Sequence, residues 1–298
     1  MEDLLACHRL GRLIGQGPLL IHGLVGCRVD RDASIGVATL AFRGHPSSER
    51  VARCLAELRQ LPPLPDLAAQ VDVGERFMYL DSVAAVARDG PGALCGSSED
   101  LASDDNLLTR RLDRQIYDWN EVLRMGNDFY DRMVAAARKP TRAERLQALK
   151  ALDAEGEAMM QEAMNWSIIK SIAVRRSRTE MALTMGARLL VLLAPQMRTI
   201  VNSADKSRAQ ACLAELSLAL AAYRADCGRY PPRLSALCPK CLPKLPKDPF
   251  SESDFRYVPR GENCVLYSVG PNGVDEGGCA GASSSTSDDI PSCPSAEP

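Results

Sequence analysis

Apolar residues recur at three- and four-residue steps through the first two-thirds of the chain, the spacing of helices that bury one face. Leu4, Leu5, Leu10, Leu13 and Ile14 form the first such face, and Gly15-Gln-Gly17-Pro18 breaks it. A second helix is expected from Leu19 onward. Ser47 is placed as the N-cap of a third, because its hydroxyl can accept a first-turn N–H, and Val51, Cys54, Leu55, Leu58 and Leu61 follow as its buried face. Pro62, Pro63 and Pro65 stop it, since proline has no N–H to donate. Leu67, Val71, Phe77, Met78, Leu80 and Val83 make the next series, followed by a Gly/Ser/Asp-rich loop over 89–106. A helix over 107–137 carries Leu112, Ile116, Trp119, Val122, Leu123 and Phe129. Thr141 and Glu144 have the spacing of a capping box, with Leu146, Leu149 and Leu152 marking the buried face beyond it.

Residues 188–224 read as helix interrupted or kinked at Pro195. Ala209, Leu213, Leu216, Leu220 and Tyr223 then lay a continuous stripe that requires a partner surface, and Gly228 supplies the stop. Beyond it the pattern changes. Strand-like pieces at 255–258 and 264–269, joined by Pro259-Arg-Gly-Glu-Asn263, predict an antiparallel hairpin. Tyr257 and Tyr267 are expected on neighbouring strands as a cross-strand pair. The predicted fold is mainly α with a small α+β C-terminal domain: a helical bundle over 1–176, then over 177–298 a long helix packed on a short antiparallel sheet.

Composition adjusts this picture only slightly. The 298 residues are 46% hydrophobic and 25% charged, which permits a packed core, and 5% aromatic, which favours helix over β-rich architecture. A net charge of -2 without a basic stripe predicts no nucleic-acid partner. Arg175, Arg176 and Arg178 read as a solvated helix face rather than a phosphate site. No apolar run approaches the ~20 residues a bilayer core needs, and the N-terminus lacks a signal-peptide layout. Of eleven cysteines, Cys7, Cys27, Cys54 and Cys95 are expected to pack as small hydrophobes; the rest crowd the C-terminal part, leaving the compartment open.

That C-terminal part carries an ordered set of motifs: Tyr223-Arg-Ala-Asp-Cys-Gly228-Arg229-Tyr230-Pro231, then Leu245-Pro246-Lys247-Asp248-Pro249-Phe250, Tyr257, Leu266-Tyr267-Ser268-Val269-Gly270, Asn272-Gly273, and Ser287-Asp288-Asp289-Ile290. In order and spacing they resemble the soluble end of the type II secretion major pseudopilins, the protein G family. The resemblance implies a long helix feeding a small sheet, a non-catalytic role, and a final loop that binds calcium (Ca2+) through Asn272, Asp275, Asp288 and Asp289. Calcium takes six to eight oxygen ligands, which clustered carboxylates and carbonyls provide. Two departures stand out: Asn272 replaces the family's usual Asp, and Gly281-Ala-Ser-Ser-Ser-Thr286 lengthens the loop. Neither leader nor hydrophobic assembly helix precedes the module. The arrangement instead resembles uncharacterised bacterial proteins with a helical region ahead of a pseudopilin-like tail, often membrane-anchored. It implies protein partners or self-association, membrane contact only through an anchor absent from this chain, and the cell envelope or periplasm as its place.

Other chemistry is sparse. Cys238-Pro-Lys-Cys241 reads as packed thiols, as a disulfide or redox pair, or with Cys227 and Cys264 as a four-thiolate zinc site. His8, His22 and His45 have no metal-type spacing, and Glu75 and Asp81 are too far around a helix to act together. No nucleophile elbow, phosphate loop or zincin motif is present. The expected role is a non-catalytic envelope or secretion-associated structural or interaction protein. The alternatives are an enzyme whose site lies among the N-terminal helices, marked by a polar pocket holding His22 or Glu75, and a thiol-dependent metal protein.

Overall fold

The computed structural model describes residues 1–90, 93–94, 116–166, 174–278 and 288–293. The chain is mainly α-helical with one small antiparallel sheet. In order it forms α1 (Glu2–Ile14), α2 (Leu20–Arg43), α3 (Ser48–Arg59), α4 (Leu67–Gln70), a π-helical turn (Val71–Glu75), α5 (Arg76–Asp89), α6 (Trp119–Ala137), α7 (Arg142–Met164), α8 (Arg178–Leu193) and α9 (Met197–Cys227). A 3-10 turn (Leu234–Leu237), β1 (Arg256–Arg260), β2 (Asn263–Ser268) and β3 (Ile290–Pro291) follow. The helix expected over 107–137 begins instead at Trp119, because extended Asp118 caps it by accepting the Asn120 N–H; residues 107–115, the loop from 95 to 106 and the insert 281–286 lie outside the described residues.

Compactness divides the chain differently from a cut at 176/177. One unit comprises Met1–Gly17, Ile21–Leu67 and Thr199–Pro298; the other comprises Pro18–Leu20 and Ala68–Arg198. In the first unit, α9 is apolar on two sides. Ala209, Leu213, Leu216 and Leu220 bury against Tyr230, Leu234, Leu237, Leu242, Phe250, Phe255, Leu266 and Val269 of the segment and sheet that follow. This is the partner surface the stripe required. Ala214, Leu218, Ala221 and Ala222 bury against Val37 and Ala41 of α2 and Val51, Cys54 and Leu55 of α3. Small residues on this second side let the helices approach closely. The N-terminal helices therefore belong to the same compact unit as the C-terminal sheet, each covering its own side of α9.

Local signals behave as their chemistry dictates. The Ser47 hydroxyl accepts the Arg50 N–H at the start of α3, and the Thr141–Glu144 capping box closes in both directions. Pro195 separates α8 from α9. Gly228, at φ 71°, ends α9 with its N–H donated to Arg224 O at 2.8 Å. The Cys238–Pro239 peptide bond is cis.

Three expectations are corrected. In α1 the buried face is Leu5, His8 and Gly11, whereas Leu10 and Leu13 are exposed. After Val71 the π turn rotates the chain, so Tyr79, Val83 and Val86 face inward while Phe77 and Met78 face out. In the hairpin, Tyr257 pairs with Leu266 and Arg256 with Tyr267. Alternation then sends the two tyrosines to opposite faces of the sheet. Tyr257 donates its hydroxyl to Pro231 O at 2.8 Å, and Tyr267 donates its own to Asp275 Oδ1 at 2.6 Å.

In the second unit, α8 packs on α6 and α7, and α5 packs on α6 through the buried rings of Tyr79 and Tyr130, whose centroids are 5.5 Å apart. Glu75 Oε1 accepts the Leu20 N–H at 3.1 Å, which satisfies an orphan donor at the start of α2.

Candidate functional site

The turn at Asp248-Pro249 seats the sheet. Asp248 is fully buried; its Oδ1 accepts the Phe250 N–H at 3.0 Å and the Ser268 hydroxyl at 2.8 Å, and its Oδ2 accepts the Val269 N–H at 3.2 Å. One carboxylate thus ties the turn to the exit of β2, from which the acidic loop departs.

The loop over 270–278 is held from the other side by Asp288 and Asp289, just ahead of β3. Asn272 N–H donates to Asp288 Oδ2 at 3.0 Å, and Asp289 Oδ2 accepts the N–H groups of Glu276 at 3.2 Å and Gly278 at 2.8 Å. Glu276, absent from the predicted set, closes the ring: Oε2 accepts the Asp288 N–H at 2.9 Å and Oε1 the Asn272 side-chain amide at 3.3 Å. Asp275 is turned away, held by the Tyr267 hydroxyl and by Arg256 Nε at 3.0 Å. So Asn272, Asp288 and Asp289 come together and Asp275 does not join them.

Two carboxylate oxygens in this ring, Asp288 Oδ1 and Asp289 Oδ1, are buried without a hydrogen-bond partner among the described residues. Burial pushes the Asp289 carboxyl above its ordinary range, and the nearby charges of Glu276 and Asp275 add to this, against the two N–H donors. Asp275 is held below its range by the Tyr267 hydroxyl, while burial and this contact push the Tyr267 phenol up to about 12. Buried, partnerless oxygens on hard carboxylate ligands suit an oxygen-seeking cation in chemistry. Yet among the described residues no three His, Cys, Asp or Glu side chains are gathered in the manner of a metal centre.

Among the described residues Cys227, Cys238, Cys241 and Cys264 do not form such a group either. Cys264 packs against the core under the sheet, with burial pushing its thiol up to about 12. Cys27 and Cys54 are buried as expected, Cys7 is exposed, and Cys95 lies outside the described residues. Two of the three clustered arginines have internal roles. Arg176 stacks on Trp166 at 4.4 Å and donates to Thr184, and Arg178 donates to Tyr117 O.

A buried triad joins α1 to α2. Asp30 Oδ1 accepts from His8 Nδ1 at 2.8 Å and from Arg12 Nε at 2.7 Å. Burial would raise the Asp30 carboxyl, but the His8 and Arg12 hydrogen bonds outweigh it and hold it below the ordinary range. The second unit contains a cavity of about 500 Å³, lined by Phe129, Met133, Leu152, Met160, Leu190 and Met197, with Asp153 and Arg198 beside them. Neither His22 nor Glu75 lines it.

No family model, curated protein or solved structure matches this chain.

Proposed function

We propose that this chain is a non-catalytic structural or interaction protein of the cell envelope or a secretion-related assembly, built on a pseudopilin-like C-terminal module. The observation that carries this reading is the order in which α9 lies on a small antiparallel sheet, with Asp248 seating the sheet and Asp288 and Asp289 clasping the loop that leaves it. The function is then presentation of a fixed surface rather than turnover. Val73, Phe77 and Met78 supply such a surface in the second unit, exposed at 67%, 69% and 49%. Large apolar side chains that water must cover favour partner contact or self-association.

In this reading calcium is the cation of the acidic loop. Asp288 and Asp289 offer their partnerless oxygens, Asn272 lies beside them, and Glu276 serves better than Asp275, whose carboxylate is already engaged. The ion would neutralise a carboxylate that burial disfavours in its charged form.

The experiment places a photo-crosslinking residue at Phe77 in the full chain, expressed in its own host. Crosslinks to envelope proteins or to a second copy are expected, together with recovery in the envelope fraction. Recovery with soluble cytosolic proteins and no crosslink of either kind would overturn the proposal. Calcium is checked separately by melting the protein in chelator and in millimolar calcium. A rise in Tm that disappears in Asp289→Ala is expected, and equal curves would remove the ion from the account.

A further inference from the structure

We propose that Cys238 and Cys241 are a redox-active dithiol, closed by a small-molecule disulfide into an intrachain bond across the turn that follows the long helix. Three cysteines lie around this turn: Cys227 ends α9, and Cys238 and Cys241 flank Pro239-Lys240. The turn is held by backbone bonds. Cys238 N–H donates to Ser235 O at 3.2 Å, Cys241 N–H to Leu237 O at 2.8 Å and Leu242 N–H to the same oxygen at 3.1 Å. Cys238 and Cys241 are thus separated by two residues on one hydrogen-bonded turn from Leu237 to Leu242, and a disulfide bridges Cα atoms about 4.4–6.8 Å apart. Lys240, between the two cysteines, pairs with Asp226 of α9 at 2.8 Å, which fixes the turn beside the helix end.

The environment is consistent with exchange chemistry. Both thiols are half-buried, so each has an open side, and each packs its other side on the core. Burial pushes the Cys241 thiol up, and the neighbouring charges of Asp226, Cys227 and Cys238 act in the same direction against Lys240. We assign Cys238 the attacking role and Cys241 the resolving role. The Cys238 thiolate attacks one sulfur of an oxidised-glutathione-type disulfide; the S–S bond breaks, and one thiolate leaves with its electron pair and takes a proton from water. Cys241 loses its proton to water and attacks the Cys238 sulfur of the mixed disulfide, expelling the second thiolate. The balance is two protein thiols and one disulfide giving one protein disulfide and two small thiols, with the protein oxidised and glutathione reduced. The bond closes the turn between Leu237 and Leu242, both fully buried under α9.

Trypsin separates the three thiols, because Arg224, Arg229, Arg233, Lys240 and Lys244 place them on residues 225–229, 234–240 and 241–244. The reduced full chain is incubated with oxidised glutathione, alkylated, and digested without reduction. Peptide 234–240 joined to peptide 241–244 is expected in the wild type and in Cys227→Ser, and reduced glutathione in excess should reverse it. Cys241→Ser should instead retain glutathione on Cys238. Two alkylated thiols in the oxidised wild type, a stable mixed disulfide there, or a link from Cys227 to either partner would overturn the proposal.

Discussion

Asp248 shows how much one buried carboxylate can organise. Phe250, Ser268 and Val269 all direct donors at it. Asp248→Ala should lower stability by about 1–3 kcal/mol for a group left unsatisfied, read as a reduced denaturant midpoint. Asp289 has a pH-dependent consequence of its own. Its folded pKa is raised, so the folded state holds a proton that the unfolded chain has released. Its stabilisation is complete below the ordinary carboxylate pKa and is lost as pH rises through the folded value. Tm in chelator should therefore fall across the acidic range, and Asp289→Asn should flatten that fall. A pH profile identical in the two proteins would refute the assignment. Asp288 and Asp289 were legible as an adjacent acidic pair before a short apolar strand. Glu276 was not, because its partners are one backbone N–H and one amide supplied by the folded loop. Asp275 was misplaced because Arg256 and Tyr267 meet only through the register of β1 on β2, which no local spacing reveals.

Elements were legible where their signals are local. Caps, proline breaks, the glycine stop and the hairpin follow from side chains acting on their own backbone within a few residues. A second capping box, Ser177 with Glu180, has the same signature as Thr141 with Glu144 and was within reach of the same reasoning. The π turn was not, since it adds one residue to a turn without altering composition, and every apolar position beyond it changes face. Gly74 is its one sequence trace. A Cβ there would come 2.2 Å from Pro18 O, so Gly74→Ala must push backbone aside and should destabilise by about 1–3 kcal/mol. Gly156, on α7, has nothing within 4 Å of the same added atom, and Gly156→Ala should stabilise by about 0.5–1 kcal/mol. Paired denaturation curves shifting in opposite directions are expected. A neutral Gly74→Ala would mean that the π turn does not require that contact.

At the scale of the whole molecule, helix content and the small sheet followed from periodicity, but the grouping of helices did not. Periodicity says that a helix has an apolar side and not which distant element covers it. The stripe from Ala209 to Tyr223 announced one covered side of α9; Ala214, Leu218, Ala221 and Ala222, mostly small, announced no second one. That second side belongs to α2 and α3, which is why Met1–Gly17 and Ile21–Leu67 form one compact unit with Thr199–Pro298 rather than with the helices that follow them. A fragment limited to 199–298 retains the sheet, the Asp248 turn and the acidic loop, yet exposes Leu218 and its neighbours to water. It should aggregate or bind a hydrophobic dye, with its sheet resonances broadened. Adding residues 1–67 through a flexible linker should restore a single cooperative transition, because the linked chain contains the whole of that unit's core. If 199–298 alone melts cooperatively with an unchanged midpoint, the second face of α9 contributes nothing and the division at 67 and 199 has no energetic meaning. The contrast is sharp because Val37, Val51, Cys54 and Leu55 are almost wholly buried in this contact, and burying an aliphatic side chain contributes about 1.5–3 kcal/mol.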